Sequence, residues 1–155
     1  MKTKVLGKKS KKLNFTGKDL LDSIPRNRKK IEHGIDIWNV YDFMFKDKKE
    51  VPHLKVLEII IPSNSKFIVE SKSMKLYLNS FYDIAFTNQS EILKKIKRDL
   101  KSLIKDDVKL RFIDKFSVEP KNINLNQSNC ETIQRRKIIK FNGFRSICPV
   151  TSQPD

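Results

Sequence analysis

The side chains of this sequence best suited to covalent chemistry are a thiol and a carboxylate near the C-terminus. They are Cys148 and Asp155, in Cys148-Pro149-Val150-Thr151-Ser152-Gln153-Pro154-Asp155. Two prolines within eight residues exclude a helix and stiffen the segment into an extended loop. A thiol so placed can act as a nucleophile, with the carboxylate as its proton carrier. Asp155 would work by moving protons, because a nearby like charge disfavours the thiolate. The opposing reading is an inert small hydrophobe, the usual state of an isolated cysteine. Cys130, in Gln127-Ser128-Asn129-Cys130, has no acid or base pattern around it and reads as structural.

The second group is Glu70-Ser71-Lys72-Ser73, between a β-rich run and a helical pattern. A loop entering a helix N-terminus offers N–H groups and a positive dipole end to a phosphate, and Lys72 adds charge. Glu70 is an acceptor-only fork able to take two parallel N–H bonds, such as the amide and amine edge of a guanine-like ring. From these four residues alone, plain helix capping by Ser71 or Ser73 is the stronger reading. Elsewhere the chemistry is sparse. His33 and His53 lack metal-type neighbours and read as surface histidines. The four glycines fall in no dinucleotide or P-loop spacing, so a nicotinamide cofactor would have to bind without a Rossmann unit.

These residues need a scaffold. Ile35, Ile37, Tyr41, Phe43 and Phe45 recur at period two, broken at Asn39, and predict a strand over Gly34–Phe45. Leu54–Ile61 is a second β-rich run, closed by the turn cluster Pro62-Ser63-Asn64-Ser65; proximity favours an antiparallel pair. Met74, Tyr77, Leu78 and Phe81 fall at i, i+3, i+4, i+7, one face of a helix starting just after Glu70–Ser73. Asn88 followed by Glu91 marks a second helix start. Its stripe is Ile92, Leu93, Ile96, Leu100, Leu103 and Ile104, and Asp106-Asp107 ends it. Val108, Leu110 and Phe112 alternate as a third strand, and Ile133–Phe141 is the candidate fourth. Glu119–Asn129 is Asn-rich and reads as loop, and Ser23–Asn27 as a turn. The order strand, strand, helix, helix, strand, strand predicts an α+β layer: an antiparallel sheet with two helices on one face.

The whole chain has 155 residues, enough for one ordinary domain, with no apolar run long enough to span a membrane and no secretory h-region. Two cysteines without a CxxC predict a reducing, cytoplasmic setting and no disulfide framework. The formal charge of +15 would attract any polyanion. Lysine supplies 26 of the 33 positive charges, however, and arginine is the side chain suited to bidentate base and phosphate recognition. The first 18 residues carry seven lysines and no acid, like a solvated arm. No direct nucleic-acid partner is expected, although a basic face would help draw in a phosphate-bearing cofactor.

Two stretches turn this generic reading into a family. Glu70-Ser71-Lys72-Ser73-Met74-Lys75-Leu76-Tyr77-Leu78-Asn79-Ser80-Phe81 resembles the signature of the NADPH-dependent 7-cyano-7-deazaguanine reductases, the nitrile reductases of queuosine (tRNA modification) biosynthesis. The Cys148–Asp155 segment resembles the nucleophile loop of the same family. Gly34-Ile35-Asp36-Ile37-Trp38 and Pro25-Arg26-Asn27 resemble its two-module form. The resemblance implies a tunnelling-fold module of two strands, two helices and two strands, which agrees with the order derived from periodicity. It implies reduction of the nitrile to 7-aminomethyl-7-deazaguanine through a thioimide, with Cys148 as nucleophile and Asp155 as proton donor. It further implies substrate contacts from Val69, Glu70 and Ser71, NADPH contacts from Ser71 and Lys72, no metal, and a homo-oligomer, a dimer in the two-module type.

On this reading residues 1–33 are a basic N-terminal segment, 34–118 the module and 119–147 a connector with a possible strand. Residues 148–155 open a second module. The family continues past this aspartate with a His-Glu pair that helps hold substrate and an Arg-Gly-Gly segment near the cofactor, so the expectation is a truncated two-module enzyme. The alternative is a non-catalytic tunnelling-fold module that binds a purine-like ligand or a partner chain. A basic nucleic-acid-binding protein is a third reading, and it predicts affinity that falls steeply with salt.

Overall fold

Strand alternation and one register shift build the centre of the molecule. The computed structural model describes residues 17–26, 33–116, 118–127, 137–143, 147 and 152–153, which fall into two compact units within 1–114 and 115–155. In the first, a 3-10 turn at Gly17–Leu20 precedes β1 (Ser23–Pro25), β2 (Ile35–Asp47), β3 (Pro52–Pro62) and β4 (Phe67–Val69). Then come α1 (Ser71–Asn79), β5 (Ala85–Phe86), α2 (Gln89–Ile104) and β6 (Lys109–Ile113). The main sheet runs β5-β2-β3-β6, with β2, β3 and β6 antiparallel and β5 parallel to the end of β2. β1 and β4 form a separate antiparallel ladder. This is the α+β class expected from the pattern of elements.

The core lies between one face of the sheet and the two helices. Leu57, Ile59 and Ile61 of β3 meet Met74, Tyr77 and Leu78 of α1 and the Ile92, Ile96, Leu100 and Ile104 stripe of α2. Leu93 and Leu103 flank that stripe half-buried. Asn88 caps α2 through its Oδ1, which accepts the Glu91 N–H at 3.0 Å, while Glu91 reaches back to the Thr87 N–H at 3.1 Å. The helix stops at Ile104, because Lys105 turns into the left-handed region at φ 60°.

The apolar period of β2 conceals a change of face. Ile35, Ile37 and Tyr41 are 57%, 52% and 63% exposed, whereas Phe43 and Phe45 are 2% and 4% exposed. Val40 pairs with Leu57 but Phe43 with Lys55, so one extra residue sits in β2 between them. Such a bulge reverses which parity points inward. Before it Trp38 and Val40 pack on the core, and after it Phe43 and Phe45 do.

Two further expectations change. The fourth strand of the main sheet is the short β5, not Ile133–Phe141. The described part of that run forms β8 (Ile139–Lys140) in the second unit, where it pairs in parallel with β7 (Ile123–Asn124), inside the stretch expected to be loop. Asn126 and Asn142 tie this ladder side chain to main chain in both directions, and Lys140 pairs with Glu119. In the first unit, Ser23–Pro25 is a strand rather than a turn, and Leu20, Leu21 and Ile24 are buried.

Candidate functional site

The β1–β4 ladder delivers the chain to the start of α1. Ser23 pairs with Val69, and the ladder continues one residue further through the Glu70 N–H to the Asp22 carbonyl at 2.9 Å. Val69 is therefore buried at the end of a strand, and Glu70 becomes the N-cap of α1 with extended backbone, φ −71° and ψ 130°. The two carboxylate oxygens of Glu70 each accept a main-chain N–H at 2.8 Å, Oε1 from Lys72 and Oε2 from Ser73. The Glu70 carbonyl accepts the Met74 N–H, the first bond of the helix. Glu70 is 2% exposed.

This geometry corrects the expected roles at the helix start. Glu70 is the cap, in place of Ser71 or Ser73, and a carboxylate there matches the positive end of the helix dipole. Two N–H groups that could have cradled a phosphate, those of Lys72 and Ser73, are thus committed to the protein's own carboxylate. Beside it stand the hydroxyl of exposed Ser71, which donates to Glu70 Oε1 at 3.5 Å, and the ammonium of half-buried Lys72. A hydroxyl beside an ammonium fits the phosphate of a nucleotide cofactor in chemical type. Each oxygen of an ionised carboxylate has two acceptor sites, and Oε2 of Glu70 keeps one while it caps the helix. The second site of Oε1 takes a long bond from the Ser71 hydroxyl at 3.5 Å, which a better-placed N–H donor would displace.

The structure brings Val69, Glu70, Ser71 and Lys72 together at one strand-to-helix junction. Cys148 and Asp155, and also Cys130, lie outside the described residues. His53 is half-buried, not a free surface group: its Nε2 lies 3.1 Å from Asp47 Oδ2, and its ring stacks on Phe45 at 5.3 Å between centroids. That bond, with two main-chain N–H groups, holds the Asp47 carboxyl below its ordinary range.

Sequence reasoning passed over Asp99. It is 6% exposed between the apolar positions of α2, where it accepts the Tyr77 hydroxyl at 2.9 Å and faces Arg98 Nε at 3.2 Å and Lys95 Nζ at 3.6 Å. Burial, and then the bond to Asp99, push the Tyr77 hydroxyl well above the usual tyrosine range. The pair ties α1 to α2. The local clue is position alone, since Asp99 directly precedes the buried Leu100. Among the described residues no cluster of His, Cys, Asp and Glu suited to a metal ion is present, and no helix is long and apolar enough to cross a membrane.

A buried carboxylate fixed at a strand-to-helix junction of an α+β module defines a class that known proteins specify further. Residues 20–112 match the family model described as nitrile reductase, 7-cyano-7-deazaguanine-reductase N-term. The chain belongs to this family. It is similar to the NADPH-dependent 7-cyano-7-deazaguanine reductase of Rickettsia bellii (strain OSU 85-389), 34% identical over 97% of this chain and 66% of the relative. The reductase of the same name from Coxiella burnetii (strain Dugway 5J108-111) is 30% identical over 88% of this chain and 60% of the relative. That of Buchnera aphidicola subsp. Schizaphis graminum is 29% identical over 84% and 61%. The chain thus spans less than two thirds of the length of these relatives.

Proposed function

We propose that this chain serves the NADPH-dependent reduction of the nitrile of 7-cyano-7-deazaguanine to the primary amine, in the cytoplasmic biosynthesis of queuosine. The observation that carries this reading is the buried Glu70 carboxylate, oriented by two main-chain N–H groups within the family-matched segment. Its remaining acceptor sites suit the ring amide and exocyclic amine of a guanine-type edge, with Val69 and Ser71 beside it. Cys148 is the nucleophile: its sulfur adds to the nitrile carbon, one C–N π bond opens, and Asp155 carries the thiol proton to the nitrogen. The product of that step is a thioimide. NADPH, with its phosphate held by Ser71 and Lys72, supplies the two hydrides that the four-electron change from nitrile to amine requires.

The test is direct. Incubation with 7-cyano-7-deazaguanine should add its mass to the wild-type chain but not to Cys148→Ala, and turnover should consume two NADPH per nitrile. An unmodified wild-type chain, or normal turnover by the variant, would refute the reading. We also propose a homo-oligomer. No described strand pairs the Ile35–Val40 edge of β2, and Ile35 and Ile37 are exposed along it. Such an edge invites pairing with a second chain.

A further inference from the structure

Ser73 is expected from the sequence at most to cap the helix, and its hydroxyl instead reaches back across the β1–β4 ladder. It is fully buried. Its hydroxyl donates to the Glu70 carbonyl at 2.8 Å and accepts the Asp22 N–H at 3.0 Å. The Asp22 carbonyl, at 3.5 Å, is the poorer of its two acceptors. The Glu70 N–H meanwhile donates to that same Asp22 carbonyl at 2.9 Å, and the Ser73 N–H donates to Glu70 Oε2 at 2.8 Å.

The result is a closed loop of bonds through Asp22, Glu70 and Ser73. One hydroxyl joins two main-chain segments 51 residues apart, and the backbone of the same serine holds one oxygen of the carboxylate. A glutamate has three side-chain torsions, and leaving them free would cost affinity each time a ligand is bound. The geometry points to Ser73 as the positioning residue for Glu70: through the Asp22 bridge it fixes the backbone from which the carboxylate projects, so that the remaining acceptor sites of that carboxylate face a guanine-type edge already aligned. This inference rests on the recognition role proposed above for Glu70. What it adds is a source of the preorganisation that lies at Asp22, directly before β1 and outside the signature stretch.

Two measurements on the full chain test it, with 7-deazaguanine as the probe because it keeps the pyrimidine edge and lacks the nitrile that reacts with Cys148. In Ser73→Ala, amide hydrogen exchange should speed up about tenfold at residues 70, 72 and 73 while Tyr77 and Leu78 stay unchanged, the pattern of a local opening. The affinity for 7-deazaguanine should weaken about tenfold as well, and Ser73→Thr, which restores the hydroxyl, should recover it. Exchange that is unchanged, or that rises evenly along α1, would overturn the inference, as would Ser73→Ala binding the probe like wild type. A wild-type chain that ignores 7-deazaguanine would refute the recognition role of Glu70 alone. The exchange pattern would still decide whether Ser73 holds that carboxylate in place.

Discussion

The two helices of the first unit begin in opposite ways. α2 starts on Asn88, a neutral, exposed cap whose bonds stay within four residues. α1 starts on Glu70, a buried carboxylate that takes two N–H groups and is tied to Asp22 across the β1–β4 ladder. Capping alone does not require the second arrangement, because a short polar side chain satisfies a helix start at the surface. Burying a charge is costly unless its bonds are complete. The contrast is between a cap that starts a helix at the surface and a buried cap that, on the function proposed above, also aims a recognition group.

The largest expected effect breaks that contrast at α1. Glu70→Ala strips two buried N–H groups of their acceptor and should cost about 2–4 kcal/mol of stability, as charge-assisted bonds are worth about 1.5–3 kcal/mol each and part is regained through water. It should also weaken 7-deazaguanine binding by about 100-fold, near the limit for one bidentate contact. Denaturant unfolding and calorimetric titration measure the two losses separately. Glu70→Gln keeps one acceptor oxygen for the cap and should recover much of the stability without the binding. If binding returned with stability, the cap and the recognition group would not be the same carboxylate.

Next in size is the lock between the helices. Tyr77→Phe removes the hydroxyl that Asp99 accepts at 2.9 Å, leaving that carboxylate to Lys95 and Arg98. A loss of about 1.5–3 kcal/mol is expected for a bond to a charged group. Affinity for 7-deazaguanine should stay as in wild type, since the ladder and the Ser73 bridge are untouched. Asn88→Ala should cost less, about 1 kcal/mol, the ordinary value of an exposed cap. An equal effect of Asn88→Ala and Glu70→Ala on ligand binding would erase the distinction between the two helix starts.

The same contrast explains what the sequence made legible. The stripe of α2 and its Asn88 cap are written in local spacing, and both stand where periodicity puts them. The face of α1 is equally local, with Met74, Tyr77 and Leu78 buried; Phe81 is buried too, although the helix ends at Asn79 and leaves it in the turn that follows. Glu70 as cap could not be read that way, because it depends on a strand some forty-six residues earlier holding Asp22 against it. β2 failed differently. Its odd-numbered apolar residues look like one face, and the extra residue between Val40 and Phe43 that splits them has no signal of its own type. The Glu70–Phe81 stretch, which carried the resemblance to the family, lies inside residues 20–112 that match the family model. The hydroxyl of Ser73 stayed hidden, since a serine three residues into a helix signature looks like an ordinary capping residue.

A third cap, the second that is a carboxylate, offers the smallest and cleanest comparison. Asp47 closes the β2–β3 hairpin, where Oδ1 accepts the Lys49 and Val51 N–H groups at 2.8 and 3.0 Å and Oδ2 meets His53. It does for a turn what Glu70 does for a helix, but at the surface. Its carboxyl titrates below the ordinary value, chiefly through His53 and then the Val51 N–H. A carboxylate with a depressed folded-state pKa adds stability that is fully present above its unfolded value, near 3.8, and lost as pH falls through the lower folded value. Thermal unfolding of wild type and Asp47→Asn should therefore differ by a constant small margin at neutral pH and converge below that unfolded value. His53→Phe, which keeps the stack on Phe45 but removes the ring nitrogen, should shrink the margin at every pH above it. A margin that persists in acid would assign the bend, with Glu50 at φ 62°, to backbone geometry rather than to the charge that caps it.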